Sequence, residues 1–441
     1  MVRWLKLGWF EMGLKDNIQN RVVRHLFGIE RRNARRRKAE RRRVRDGSPH
    51  RVEYFHETGD PYSHLVAQVL PIFMERYDVE LDVHLVSPPP DWAAPDRDRL
   101  QLNSRRDAKR LASRAGLDYK DPGTQPGVSA QHAANSEFLD TLQSNTFVSE
   151  AYGIGRRLWS DGSLATPTNS DSYVQSVLET SAKRRETLGH YLGGTLYYAG
   201  EWYWGVDRLH FLEQRLRTLG AGKAPDLPLI FAPPRVPSAA ANSSENDRPE
   251  LHWYLSFRSP YTGIVADRTK ALADAYNADL KLRFVLPMVM RGMQVPRMKG
   301  FYIMSDTVRE AERQNIPFGN LFDPVGEPVE RGYAILHKAI ELGRGFEFAQ
   351  SFLSGVWSEG LNARTDRDLQ KITERSGLSW SEMKPLIGGD HWRAAAESNQ
   401  QEMFSYGIWG VPSFRVGDVA AWGQDRLWVI EDALKTATQE T

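Results

Sequence analysis

Trp422-Gly423-Gln424-Asp425-Arg426-Leu427 follows closely on Gly410-Val411-Pro412-Ser413-Phe414. Between them lie an apolar strand over 414–416, a Gly417-Asp418 turn and a second short strand ending at Trp422. A helix is expected from about Asp425, because Leu427, Ile430 and Leu434 recur at helical spacing. The same string occurs earlier. Gly193-Gly194-Thr195-Leu196 leads through Ala199-Gly200 to Trp204-Gly205-Val206-Asp207-Arg208-Leu209. Both copies contain Trp-Gly-x-Asp-Arg-Leu at a fixed offset, so the chain reads as a tandem repeat.

Each copy also has a matching front end. Leu251 to Phe257 reads as a strand, Arg258-Ser259-Pro260-Tyr261-Thr262 as a turn, and the stretch through Val265 and Leu272 as a helix. In the first half, Val52 to His56, Gly59-Asp60-Pro61-Tyr62-Ser63 and the stretch through Leu65, Val69 and Ile72 repeat that order. Proline fits just inside a helix start, where its missing N–H has no intrahelical partner to lose. Second strands are expected at 80–86 and 280–286. Each half is therefore β-α-β, a helix-rich middle, then β-β-α.

This order resembles a thioredoxin fold with a helical insertion. The second half resembles the serine branch of the DsbA-like family, the branch of 2-hydroxychromene-2-carboxylate isomerases and kappa-class glutathione transferases. The resemblance rests on Ser259-Pro260-Tyr261-Thr262, on Lys299-x-x-Tyr302 with Asp306 and Arg309, and on Pro317-Phe318-Gly319. It rests further on Asp323-Pro324-Val325-Gly326, Gly410-Val411-Pro412 and Trp422-Gly423-Gln424-Asp425-Arg426. The implied class is α/β: two tandem thioredoxin-like domains, each with a DsbA-like helical insertion, plus a basic N-terminal extension. The expected division is 1–50 extension, 51–232 degenerate domain, 233–249 Pro/Ser/Ala-rich linker and 250–441 domain with the candidate active site.

Composition narrows the chemistry. The chain has 441 residues, 41% hydrophobic and 26% charged, with no cysteine. Dithiol redox chemistry, disulfides and thiolate metal sites are excluded. No apolar run is long enough to cross a bilayer, and Met1 to Leu14 lacks the unbroken apolar core of a secretory signal. A cytoplasmic protein is expected. Residues 1–50 hold 15 Lys and Arg against five Asp and Glu, whereas the whole chain is only +2. That tail is either a partner surface for nucleic acid, an anionic membrane or an acidic protein, or a solvated extension lying on the acidic remainder. The layout is compatible with an oligomer.

Ser259 falls at the end of a strand and the start of a helix, where dipole and unpaired N–H groups favour an anion. It is either an N-cap or a donor to a thiolate supplied by another molecule. The resemblance implies the second role, with glutathione as that molecule and Ser259 as the catalytic residue. It also implies a cis Val411–Pro412 peptide whose backbone pairs with glutathione, and Gln424 and Asp425 receiving the γ-glutamyl end. Tyr261, Lys299, Tyr302 and Trp357 are the candidates for a small-molecule substrate groove, with core packing the plain alternative for Trp357. Members of this family carry an Asn beside a Pro-Pro where this chain has Met293-Gln294-Val295-Pro296-Arg297. In the first half Asp60 stands in place of the serine and Gly194 in place of the proline, so a structural or regulatory role is expected there. His56, Glu57, Asp60 and His64 gather near that turn, but without the ligand spacings of strong metal sites none is assigned. The function so implied is a glutathione-dependent isomerase or transferase acting on an aromatic or conjugated electrophile. The alternative is a catalytically inactive DsbA-like scaffold.

Overall fold

The computed structural model describes residues 26–160, 162–234 and 248–439. The Met1–Leu14 stretch and most of the expected linker lie outside them. The described residues form two compact units, one of 35–160, 162–234 and 294–302, the other of 26–34, 248–293 and 303–439. The units thus depart from the linear division in two segments, 26–34 and 294–302.

The first sheet contains β1 (Arg51–His56), β2 (Glu80–Leu85), β3 (Thr195–Tyr198) and β4 (Glu201–Trp204) in the order β2-β1-β3-β4. β1 runs parallel to β2 and antiparallel to β3, and β3 and β4 form an antiparallel hairpin. The second sheet contains β5 (Glu250–Leu255), β6 (Asp279–Phe284), β7 (Ser413–Val416) and β8 (Val419–Trp422) in the order β6-β5-β7-β8, with the same strand directions. Burial explains the central positions of β1 and β5. Every residue after the first in each strand is buried, as expected of a strand covered on both faces.

The helices Pro61–Arg76 and Pro260–Ala275 each follow a central strand, with proline in the first turn after a capping side chain. Insertions fill 86–194 and 285–412. The second one packs helices Glu327–Glu341, Gly345–Ser354 and Asp366–Arg375 around a core of Trp253, Phe257, Tyr333, Phe352 and Ile372. Phe257 and Phe352 stack at 4.0 Å, and a Cβ on Gly332 would lie 2.6 Å from Phe352. Only glycine lets that helix approach the stacked pair so closely.

The repeated Trp-Gly-x-Asp-Arg-Leu string now has a physical reason. Gly205 N–H donates to the Gly194 carbonyl at 2.8 Å, and Gly423 N–H to the Pro412 carbonyl at 2.9 Å. Both glycines have positive φ, 70° and 120°. A Cβ on Gly205 would lie 2.9 Å from Asp207 Oδ1, and one on Gly423 2.7 Å from Asp425 Oδ1. Arg208 then pairs with Asp207 at 3.4 Å, and Arg426 with Asp425 at 3.1 Å. The motif is one turn, folded back on the residue before the hairpin. Gly423→Ala is therefore expected to cost about 1–3 kcal/mol through left-handed backbone strain and displacement of the carboxylate. A urea titration checks this; an unchanged midpoint would show that the turn relaxes freely.

The last helix begins at Leu427 rather than Asp425. Arg426 N–H bonds back to the Gly423 carbonyl at 3.1 Å, so Gln424 and Asp425 belong to the preceding turn. No helix among the described residues is long and apolar enough to cross a membrane.

Candidate functional site

Ser259 is the N-cap of Pro260–Ala275. Its Oγ accepts from Thr262 N–H at 3.2 Å and donates to the Val411 carbonyl at 3.2 Å. The Val411–Pro412 peptide is cis. Both Ser259 and Val411 are half-buried, while Pro412 is buried. Gly410 precedes them, and a Cβ there would lie 2.4 Å from the Trp422 ring. The indole thus holds the loop against the hairpin. A hydroxyl, a backbone edge and a helix start converge here.

The other predicted residues are placed variously. Tyr261 donates to Asp306 Oδ2 at 2.8 Å, and Arg309 to Asp306 Oδ1 at 2.9 Å. Asp306 and Arg309 are buried. Gln424 is buried too, and its Oε1 accepts from Arg268 Nη2 at 2.5 Å. Burial pulls the Arg268 pKa down to about 10. The Gln424 amide nitrogen has no hydrogen-bond partner among the described residues. Trp357 lies in the core: its indole N–H donates to the Phe257 carbonyl at 3.0 Å, and it stacks against Phe318. Its 4% exposure leaves little ring to present to a groove.

Lys299 and Tyr302 belong to the unit built on the first sheet. Tyr302 packs with Phe55, Val86 and Trp202, and its ring lies 4.5 Å from that of His190. Lys299 donates to the Ala93 carbonyl at 3.3 Å, and burial lowers its pKa to about 8. The aromatic side of Tyr302 explains that placement, since it completes an apolar cluster.

The first half repeats the frame with other side chains. Asp60 caps Pro61–Arg76, accepting from Tyr62 N–H at 3.3 Å, Ser63 N–H at 2.9 Å and Ser63 Oγ at 2.8 Å. A Cβ on Gly194 would lie 2.9 Å from Asp60 Oδ2, so Gly194 meets the cap as Val411-Pro412 meets Ser259. Tyr62 donates to Asp107 at 2.8 Å across 45 residues, the separation that also divides Tyr261 from Asp306. Glu57 is buried beside Asp60, and both carboxyl pKa values are raised, chiefly by loss of water. Burial keeps His56 and His64 neutral, with pKa values near 3 and 4.

Metal-type ligands gather elsewhere than the sequence indicated. Glu53, Asp82 and His84 bring their ligand atoms within 4.8 Å of one another. The β1–β2 register sets Glu53 opposite Asp82, a neighbour relation that spacing along the chain cannot reveal. Arg184 already holds both Glu53 oxygens at 2.9 Å, so the group forms an ion network over the sheet. A cavity of about 440 Å³ between helices Val128–Gln143 and Phe147–Trp159 contains none of the predicted site residues.

This geometry places the second half in a recognisable class: residues 250–435 match the family model of the DSBA-like thioredoxin domain. Two curated relatives are more particular. A 2-hydroxychromene-2-carboxylate isomerase of Pseudomonas sp. (strain C18) is 22% identical over 192 residues, covering 42% of this chain and 89% of that protein. A 2-hydroxychromene-2-carboxylate isomerase of Pseudomonas putida is 20% identical over 192 residues, covering 42% of this chain and 93% of that protein. A solved structure of a 2-hydroxychromene-2-carboxylate isomerase superposes with a TM-score of 0.38 at 20% identity, over 43% of this chain and 96% of the other.

Proposed function

We propose that the second half is a glutathione-dependent isomerase or transferase of the DsbA-like class, working in the cytoplasm on an aromatic or conjugated electrophile. The observation that carries this reading is the Ser259 hydroxyl at the start of a 16-residue helix, 3.2 Å from the Val411 carbonyl. The donor set fits a thiol ligand: a hydroxyl, helix N–H groups and a backbone edge, with no cysteine of the chain's own to compete. Bound glutathione would supply the thiolate nucleophile for reversible attack on a conjugated double bond. Ser259 would turn its hydroxyl from Val411 toward the sulfur, and the positive helix start would favour the anion. Val411 would offer its backbone to the peptide. Asp425 would face the ammonium of the γ-glutamyl group, and backbone N–H groups at the start of the last helix would donate to its carboxylate. Tyr261 would be set by Asp306 at the mouth of the site. We read residues 51–232 as a second thioredoxin-like domain without this chemistry, because Asp60 would repel a thiolate.

Calorimetry with reduced glutathione tests the reading. Wild type should release heat on binding, and Ser259→Ala should bind about 10- to 100-fold more weakly, the range for losing a hydrogen bond to a charged group. No heat with wild type would favour the inactive scaffold. Equal affinity in the variant would remove Ser259 from the sulfur.

A further inference from the structure

We infer that the outer face of the helix Ile29–Arg45 is a binding surface for the phosphate backbone of a nucleic acid, independent of base sequence. The structure sorts the basic residues of this helix into two faces. Arg36 is turned inward and holds Glu201 through two bonds of 2.6 Å. Arg43 is likewise engaged, with Glu40 at 2.6 Å and the Ser48 carbonyl at 3.0 Å. The Arg36 pair holds the inner face against the strand that carries Glu201, and the Arg43 bonds are local to the helix and the turn that follows it. Lys38, Arg41, Arg42 and Arg45 are all exposed. Lys38, Arg41, Arg42 and Arg45 stand at i, i+3, i+4 and i+7, so the four share one stripe. At about 1.5 Å per residue the stripe is roughly 10 Å long. A duplex presents about one charge per 1.7 Å of its axis, so every cation can meet a phosphate.

Chemistry favours nucleic acid over a membrane surface. A helix that lies in the membrane interface needs an apolar face opposite its cations. Here that face is occupied by the Arg36–Glu201 and Arg43–Glu40 pairs. Three of the four cations are arginines, whose planar forks match phosphate oxygens two at a time. The acid bordering the stripe is Asp46, 3.5 Å from Arg42 and 2.9 Å from Arg45. It competes with any phosphate for those two guanidinium groups.

The test is fluorescence anisotropy of a labelled duplex of arbitrary sequence with the full chain, between 50 and 200 mM salt. Four phosphate contacts predict a log–log slope of about −3.6, hence a loss of roughly two orders of magnitude over that range. Replacing Lys38, Arg41, Arg42 and Arg45 together by Gln should flatten the slope to about zero. Asp46→Asn should tighten binding several-fold, and it touches nothing in the inner face. The inference is overturned if wild type does not bind at 50 mM salt, or if the quadruple variant folds and keeps the wild-type slope. An unchanged affinity in Asp46→Asn also overturns it, as does charge-dependent binding to phosphatidylserine vesicles with none to the duplex.

Discussion

Asp306→Ala is expected to lower the unfolding free energy by about 3–5 kcal/mol, the cost of leaving half of a buried ion pair behind. Asp306 is 1% exposed and Arg309 is 4% exposed, so water cannot replace the lost carboxylate. The carboxylate also accepts from Tyr261 at 2.8 Å, which ties the insertion helix to the helix that starts at Ser259. Its loss should therefore loosen the approach to Ser259 as well as the core. Asp306→Asn keeps the shape and one acceptor, and should cost less. Guanidinium denaturation of both variants decides: equal midpoints for wild type and Asp306→Ala would mean that Arg309 is satisfied by its other surroundings.

The second large effect is a dependence on pH that resides in the first half. Burial beside Asp60 raises the Glu57 pKa from its ordinary 4.5 to about 8, against the pull of Arg185, Arg97 and the Gly193 backbone. A carboxyl raised on folding holds its proton more tightly in the native state. Its contribution is thus complete below about 4.5 and is lost as pH rises through about 8. His56 and His64, held neutral in the fold, work in the opposite sense below about 6.5, where the unfolded chain would protonate them, so the Glu57 loss shows cleanly only above about pH 7. Wild type should lose about 1–2 kcal/mol of stability between about pH 7 and 9. Glu57→Gln, neutral at that position, should lose less over the same range, with only the tail of the raised Asp60 titration left. Thermal melts of both across that range check it, and parallel curves would place the titration elsewhere.

The sequence showed the repeat because its signature is a backbone demand. Gly205 and Gly423 sit at positive φ with an Asp oxygen where a side chain would be, and such a position keeps its residue type in both copies. Asp60 and Ser259 were legible as opposite numbers for the same reason: both cap a helix that begins with proline. Three features were not legible. The Glu53–Asp82–His84 group depends on strand register. The inward turn of Gln424 depends on Arg268, 156 residues away along the chain. The placement of Tyr302 follows from packing against Phe55 and Trp202, and neither lies near it in sequence. Helical spacing grouped Tyr302 with Asp306, whereas the fold gave the two residues different neighbours.

The bond from Ser259 to Val411 has a practical consequence for anyone wishing to watch this position. The chain contains no cysteine, so Ser259→Cys would install a solitary sulfhydryl at the mouth of a helix, where such groups ionise readily. An alkylating dye would find nothing else to label, and its rate would report the local field directly. Any competitor that slowed the dye would be seen against a silent background.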